Sequence, residues 1–210
     1  MSRFNRDTAG RLTVGGLRLD EIAATHGTPL YVYSGDGIRE DYDNFAAAVA
    51  PVDGTVHFAL KANSAIGVMA LLARRGAGAD IVSGGEMQRA LVAGVPAAKI
   101  VFSGVGKSAG EIGAALDAKI GQINAESTAE VEAISAIAAA RGVTAPVALR
   151  VNVDVDPKTH AKISTGQRST KFGVSTAQNE AADLYRRMAA DPHIRPVGLA
   201  VHIGSQICDL

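Results

Sequence analysis

From residue 55 onward the chain repeats one pattern: a short apolar run, a turn, then a stretch with helical spacing. The apolar runs at 55–60, 78–82, 99–102, 120–124, 146–152 and 197–203 predict strands. The stretches at 66–75, 85–93, 109–118, 128–141 and 176–190 predict helices, and in the fourth Val131, Ile134, Ile137 and Ala138 fall on one stripe. Residues ahead of 55 predict an irregular opening. Strands that alternate with helices form βαβ units, so the fold class is α/β with a parallel sheet.

Side-chain parity separates the two parallel architectures. In 55–61, Val56, Phe58 and Leu60 share one face, and Thr55, His57, Ala59 and Lys61 share the other. In 147–152, Val147, Leu149 and Val151 oppose Ala148, Arg150 and Asn152; in 197–203, Val197, Leu199, Val201 and Ile203 oppose Gly198, Ala200 and His202. A doubly wound sheet carries helices on both faces and needs bulk on both. A barrel carries helices outside only, and its interior can hold small and polar residues. The parity favours a barrel. Six units of about 28 residues leave an eight-unit barrel about 55 residues short. The expected fold is therefore an incomplete (β/α)8 TIM barrel, the N-terminal part of a longer protein. Alone, the 210 residues would leave unpaired strand edges and exposed apolar surface, and are expected to be unstable.

Composition narrows the setting. The chain is 47% apolar and 20% charged with zero formal net charge, enough for a substantial core. Balanced charge gives no electrostatic argument for nucleic acid or an anionic membrane as partner. A lone cysteine, Cys208, excludes an internal disulfide. No apolar signal region and no uncharged run of membrane-spanning length is visible, so a cytoplasmic location is expected.

The candidate chemistry gathers at strand ends. Lys61, Arg150, Asn152 and His202 fall on the inner face at carboxyl ends, with Asp80 near the end of its own strand. That rim is where barrel active sites lie. A lysine ending a buried strand is expected to be desolvated, which favours the neutral amine and suits a lysine that forms a Schiff base. Ser83 and Glu86 open a helix as cap and third residue of a capping box, and Glu86 also falls near the rim. The run Ser103–Ser108 lacks the glycine a P-loop needs six residues before Lys107. Gly104-x-Gly106-x-x-Ala109, with Glu126 about twenty residues on, has a dinucleotide-binding form but sits in the third unit; a tight turn explains it better. Among the histidines, His57 reads as a hydrogen-bonded interior residue, His26 and His193 as solvated loop residues, and His160 as either. His202, followed by Gly204-Ser205, can stack on a planar ring beside donors for an anion. No histidine or cysteine pair has metal-site spacing, and no metal is expected.

In order along the chain, Phe58–Asn63, Gly78–Glu86, Ala148–Asn152, Lys158-Thr159-His160, Ile163–Gly166, Lys171-Phe172-Gly173 and His202–Gln206 resemble the diaminopimelate decarboxylase family. That family belongs to the pyridoxal-phosphate-dependent, alanine-racemase-like barrels (fold type III). The resemblance covers about Pro29 to Gln206 and implies the following. Lys61 holds pyridoxal 5'-phosphate covalently; His202 stacks on its ring; Ser205 is a polar contact; Asp80, Glu86 and Arg150 surround the lysine. Lys61 and His202 would be catalytic. Lys171 would pair across a homodimer interface. Residues 1–35 would pair with a C-terminal β domain, with 36–210 as a partial barrel; that domain, the phosphate loop and the acidic ring partner are absent here. The implied reaction is decarboxylation of meso-diaminopimelate to L-lysine, a lysine-biosynthesis step, by the longer enzyme and not by these residues alone. Alternatives are decarboxylation of another amino acid or of carboxynorspermidine, or a non-catalytic truncated fragment.

Overall fold

A computed structural model of the chain describes residues 3–155 and 172–205. The opening is not irregular. It forms a three-stranded antiparallel sheet of β1 (Phe4–Arg6), β2 (Leu12–Val14) and β3 (Leu17–Arg18), followed by α1 (Leu19–His26). Helix α2 (Gly35–Val49) comes next, capped by Ser34, whose hydroxyl accepts from the Gly37 N–H at 3.1 Å. Both helices escape a reading based on alternation of strand and helix, because no apolar strand precedes them.

The expected βαβ succession then begins. Its elements are β4 (His57–Ala59), α3 (Ile66–Ala73), β5 (Gly78–Ile81), α4 (Gly84–Val92), β6 (Ile100–Phe102), α5 (Ala109–Asp117) and β7 (Gln122–Ala125). They continue with α6 (Thr128–Arg141), β8 (Ala145–Asn152), the two-residue β9 (Val174–Ser175), α7 (Glu180–Ala190) and β10 (Ile194–Ala200). All six predicted strands form, and they lie in the order β10-β8-β7-β6-β5-β4 with parallel pairing throughout; β9 adds to the end of β8. The curved sheet stays open, an α/β structure with the topology of six barrel strands.

Three consecutive βα turns close the same way. Ser83, Ser108 and Ser127 cap α4, α5 and α6, each accepting from the backbone N–H of a glutamate three residues on. Those glutamates return the bond to the chain just ahead: Glu86 Oε2 accepts from Val82 N–H at 2.8 Å, and Glu130 Oε2 from Glu126 N–H at 2.7 Å. Glu111 closes the reciprocal box on Ser108 and also accepts from Gly84 N–H at 2.9 Å, tying α5 to the start of α4. These backbone hydrogen bonds hold the Glu111 carboxyl below the usual carboxylate range.

The core lies between the sheet's outer face and the helices. Leu60, Ile81, Ile100, Phe102, Ile123, Val147 and Leu149 are fully buried there against Met69, Ile112, Ile134 and Met188 from the helices. Each such side chain contributes about 1.5–3 kcal/mol on burial. Strand β10 is different: its outward Leu199 is 62% exposed. Its register against β8 shifts between Pro196 and Gly198, and the strand ends at Ala200, three residues earlier than the sequence predicts.

Candidate active site

The inner face of the sheet bounds a cavity of about 850 Å³. Alternation along each strand decides what reaches it. His57, Ala59 and Lys61 enter from β4 and the turn after it, Asp80 from β5, Val101 and Ser103 from β6, Asn124 from β7 and Arg150 from β8; Ala200 and His202 close the far side. The parity predicted from sequence holds on β4 and at Arg150 of β8; past β10 it is lost, since Val201 lines the cavity between Ala200 and His202. His57 lies across Gly78, where a Cβ would come within 2.3 Å of its ring, so the glycine makes room for the imidazole. Its Nδ1 lies 3.3 Å from the Thr55 carbonyl, the interior role read from the sequence.

Polar side chains join across strands. Ser103 Oγ donates to Asp80 Oδ1, Asn124 Nδ2 donates to Ser103 Oγ at 2.9 Å, and Gln122 Nε2 donates to Asn124 Oδ1 at 2.7 Å. This chain crosses three strands and fixes the Asp80 carboxylate. Arg150 NH1 donates to Glu126 Oε1 at 2.9 Å, and its guanidinium lies over the Phe172 ring at 5.1 Å. His202 is half-buried, and its pKa is lowered, first by burial and then by the positive charges of Arg150 and Lys61. At neutral pH its imidazole is therefore uncharged, with one ring nitrogen a donor and the other an acceptor.

Four of the predicted site residues thus share the cavity: Lys61, Asp80, Arg150 and His202. Lys61 corrects the reason given for it. Its side chain is exposed and not buried as expected, because β4 is an edge strand of an open sheet. Among the described residues it makes no hydrogen bond or ion pair. Glu86 does not reach the cavity. Its carboxylate turns back to the Val82 N–H, because a helix N-terminus leaves donors that the nearest acceptor satisfies. Ser205 is exposed, five residues past the end of β10, and is not part of the cavity wall. Asn152 donates to the Phe172 carbonyl at 3.3 Å and lines a separate polar cavity of about 330 Å³ with Asp154 and Glu180. Lys158, Thr159, His160, Ile163–Gly166, Lys171, Gln206 and Cys208 lie outside the described residues.

Sequence reasoning missed Ser103, Asn124 and Glu126. The signal was present: Gln122, Asn124 and Glu126 alternate with Ile123 and Ala125, which are fully buried on the opposite face. The Gly104–Gly106 turn is structural, as expected. Both glycines have positive φ (92° and 75°), and Lys107 Nζ is turned inward onto the carbonyls of Gly104 and Asn124 and onto Glu130.

The donor set fits a pyridoxal-type ligand: an unengaged primary amine, a neutral imidazole, a braced carboxylate and a guanidinium around one cavity. Among the described residues, a buried carboxylate oxygen beside it, Glu126 Oε2, has no hydrogen-bond partner.

Comparison with known proteins agrees. Residues 36–210 match the family model described as pyridoxal-dependent decarboxylase, pyridoxal binding domain. The diaminopimelate decarboxylase of Zymomonas mobilis is 48% identical over 207 residues, 96% of this chain and 48% of that protein. Among solved structures, diaminopimelate decarboxylase from Helicobacter pylori complexed with L-lysine superposes with a TM-score of 0.87 at 43% identity, covering 90% of this chain and 48% of that one. The enzyme from M. jannaschii, in co-complex with L-lysine, gives 0.90 at 37% identity over 99% and 49%. The chain spans about half the length of the curated relatives it matches.

Proposed function

The chain belongs to the pyridoxal-dependent decarboxylases, as their pyridoxal-binding domain, and from that premise we propose that it is the cofactor-binding part of a diaminopimelate decarboxylase. The observation that carries the reading is the convergence of Lys61, Asp80, Arg150 and His202 on one cavity, from strands far apart in sequence. Relatives at 43–48% identity named for this activity support the choice of substrate. In this proposal the 210 residues belong to an enzyme about twice as long, with residues 1–35 against a further domain and 36–210 as the partial barrel. The complete enzyme is a cytoplasmic homodimer. Among the described residues no helix is long and apolar enough to cross a membrane.

Pyridoxal phosphate, when bound, supplies an aldehyde that links to an amine and a ring that accepts the electron pair left when carbon dioxide departs. Lys61 Nζ would hold it, since among the described residues it is the only lysine lining the cavity, while nearby Lys107 is locked onto three acceptors. His202 presents an uncharged ring face, which stacks without carrying a second positive charge beside Lys61 and Arg150. Asp80, held by Ser103, places a negative charge opposite those cations and can steady a protonated ligand nitrogen. Arg150 offers its unbonded N–H groups to an anionic ligand group. The Lys61 amine, held in the same cavity, would also be placed to deliver a proton to the reacting carbon of a bound amino acid.

Incubating the complete protein with meso-diaminopimelate and pyridoxal phosphate is expected to release equal amounts of carbon dioxide and L-lysine. Faster turnover of ornithine, arginine or carboxynorspermidine would replace the substrate while keeping the site. Substituting His202 by alanine is expected to weaken cofactor retention and lower turnover about 10- to 100-fold, with chelators having no effect. Activity lost to a chelator and restored by added metal would reverse the reading of His202.

A further inference from the structure

We propose that Glu126 is a positioning residue of this site, fixing the direction in which the Arg150 guanidinium faces the ligand. The inference rests on the pyridoxal-site reading and goes beyond it, because Glu126 is not part of the cavity wall. Glu126 directly follows β7, on the same face as Asn124, and Ala125 pairs with Leu149 beside Arg150. The two side chains meet at 2.9 Å with 4% of Glu126 and 11% of Arg150 exposed.

A planar guanidinium has two orientations to settle, the tilt of its plane and its rotation within that plane. The Phe172 ring at 5.1 Å sets the first, and the single bond from NH1 to Glu126 Oε1 sets the second. The bond is one-pronged. Arg150 NH2 and Nε make no hydrogen bond among the described residues, and Arg150 is itself a wall of the cavity. Glu126 Oε2 stays buried without a partner among the described residues. A pair built only for stability would close both prongs of the fork and leave no orphaned oxygen. Here the pairing is sacrificed on one side, which leaves donors of Arg150 for something in the cavity. Glu126 also offsets the Arg150 charge acting on His202, where the charged neighbours are Arg150, Lys61, Asp80 and Glu126.

The test uses the complete, pyridoxal-loaded protein with Glu126→Gln, which keeps shape and removes charge. Turnover is expected to fall about 10- to 100-fold with cofactor stoichiometry unchanged. KM for the amino acid is expected to stay within about threefold and the melting temperature within about 2 °C. The His202 ring resonance is expected to titrate at lower pH than in the wild type. Arg150→Ala and the double variant Glu126→Gln/Arg150→Ala should lose turnover equally, because Glu126 acts through Arg150. Should Glu126→Gln melt early, Glu126→Asp decides, since it keeps the charge and Arg150 and shortens only the reach to NH1: reduced turnover with normal melting supports positioning, and wild-type turnover overturns it. Wild-type turnover in Glu126→Gln, or losses that multiply in the double variant, would likewise overturn it. A wild type that borohydride fails to label on Lys61 removes the site reading itself; a labelled wild type with an unaltered Glu126→Gln removes only the role of Glu126.

Discussion

Lys61→Ala in the complete protein is expected to lower decarboxylation at least about 10⁴-fold. The size follows from what the side chain supplies. In the proposed reading it would be both the attachment point for the cofactor and the amine next to the reacting carbon once substrate is bound. Among the described residues no neighbour can take over: Lys107 is 1% exposed and bonded to Glu130 and two carbonyls, and Lys61 is the only lysine lining the cavity. Borohydride reduction and peptide mapping of the wild type should place the label on Lys61, and Lys61→Ala should take up none. Label on Lys107 or Lys171 would refute the assignment. A small amine such as methylamine should return part of the activity of Lys61→Ala, because the missing group is an amine and not a packing element.

The second large effect is on stability. Lys107→Met is expected to destabilise the fold by about 3 kcal/mol, toward the lower end for breaking a buried ion pair. Lys107 Nζ donates to Gly104 O at 2.6 Å, Asn124 O at 2.7 Å and Glu130 Oε1 at 2.9 Å, and lies 5.6 Å from the centre of the Phe102 ring. Methionine fills the volume but leaves two carbonyls and a mostly buried carboxylate unanswered. Lys107→Met/Glu130→Gln should recover part of the loss, since no lone charge remains. Lys99→Met, which removes an exposed lysine bonded to the Gly76 carbonyl, should cost less than about 1 kcal/mol. Denaturant unfolding of the complete protein and its variants measures all three. Equal losses at 99 and 107 would show that burial of the pair carries no weight.

What the sequence made legible depended on which physical signal each region carries. Helix 128–141 was predicted to the residue, because Val131, Ile134 and Ala138 keep a helical period between a serine cap and Gly142. The parity of 55–61 placed His57, Ala59 and Lys61 on one side because a strand permits two faces only. The first two helices were not seen: α1 has no buried residue and α2 buries only Gly37, so neither writes a strong apolar stripe. In the site, strand-end residues were found and partners between strands were not. Ser103 and Glu126 were read as parts of a turn motif, and their bonds to Asp80 and Arg150 join residues 23 and 24 positions apart. Glu86 was read both as a cap and as a rim residue, since the same carboxylate can serve either; the structure shows it bonded at the helix end.

The Ser-x-x-Glu turns after β5, β6 and β7 have a bearing on where charge can settle. An uncapped helix start is a natural seat for phosphate. Here each of the three starts carries its own glutamate, bonded to the Val82, Ser108 and Glu126 N–H groups, and Glu111 of α5 also takes the Gly84 N–H at the start of α4. Each of those carboxylates sets a negative charge at a helix start, where it opposes a second anion. A ligand phosphate would therefore be disfavoured at these three turns, and the caps would bias which way round a phosphate-bearing ligand enters the cavity.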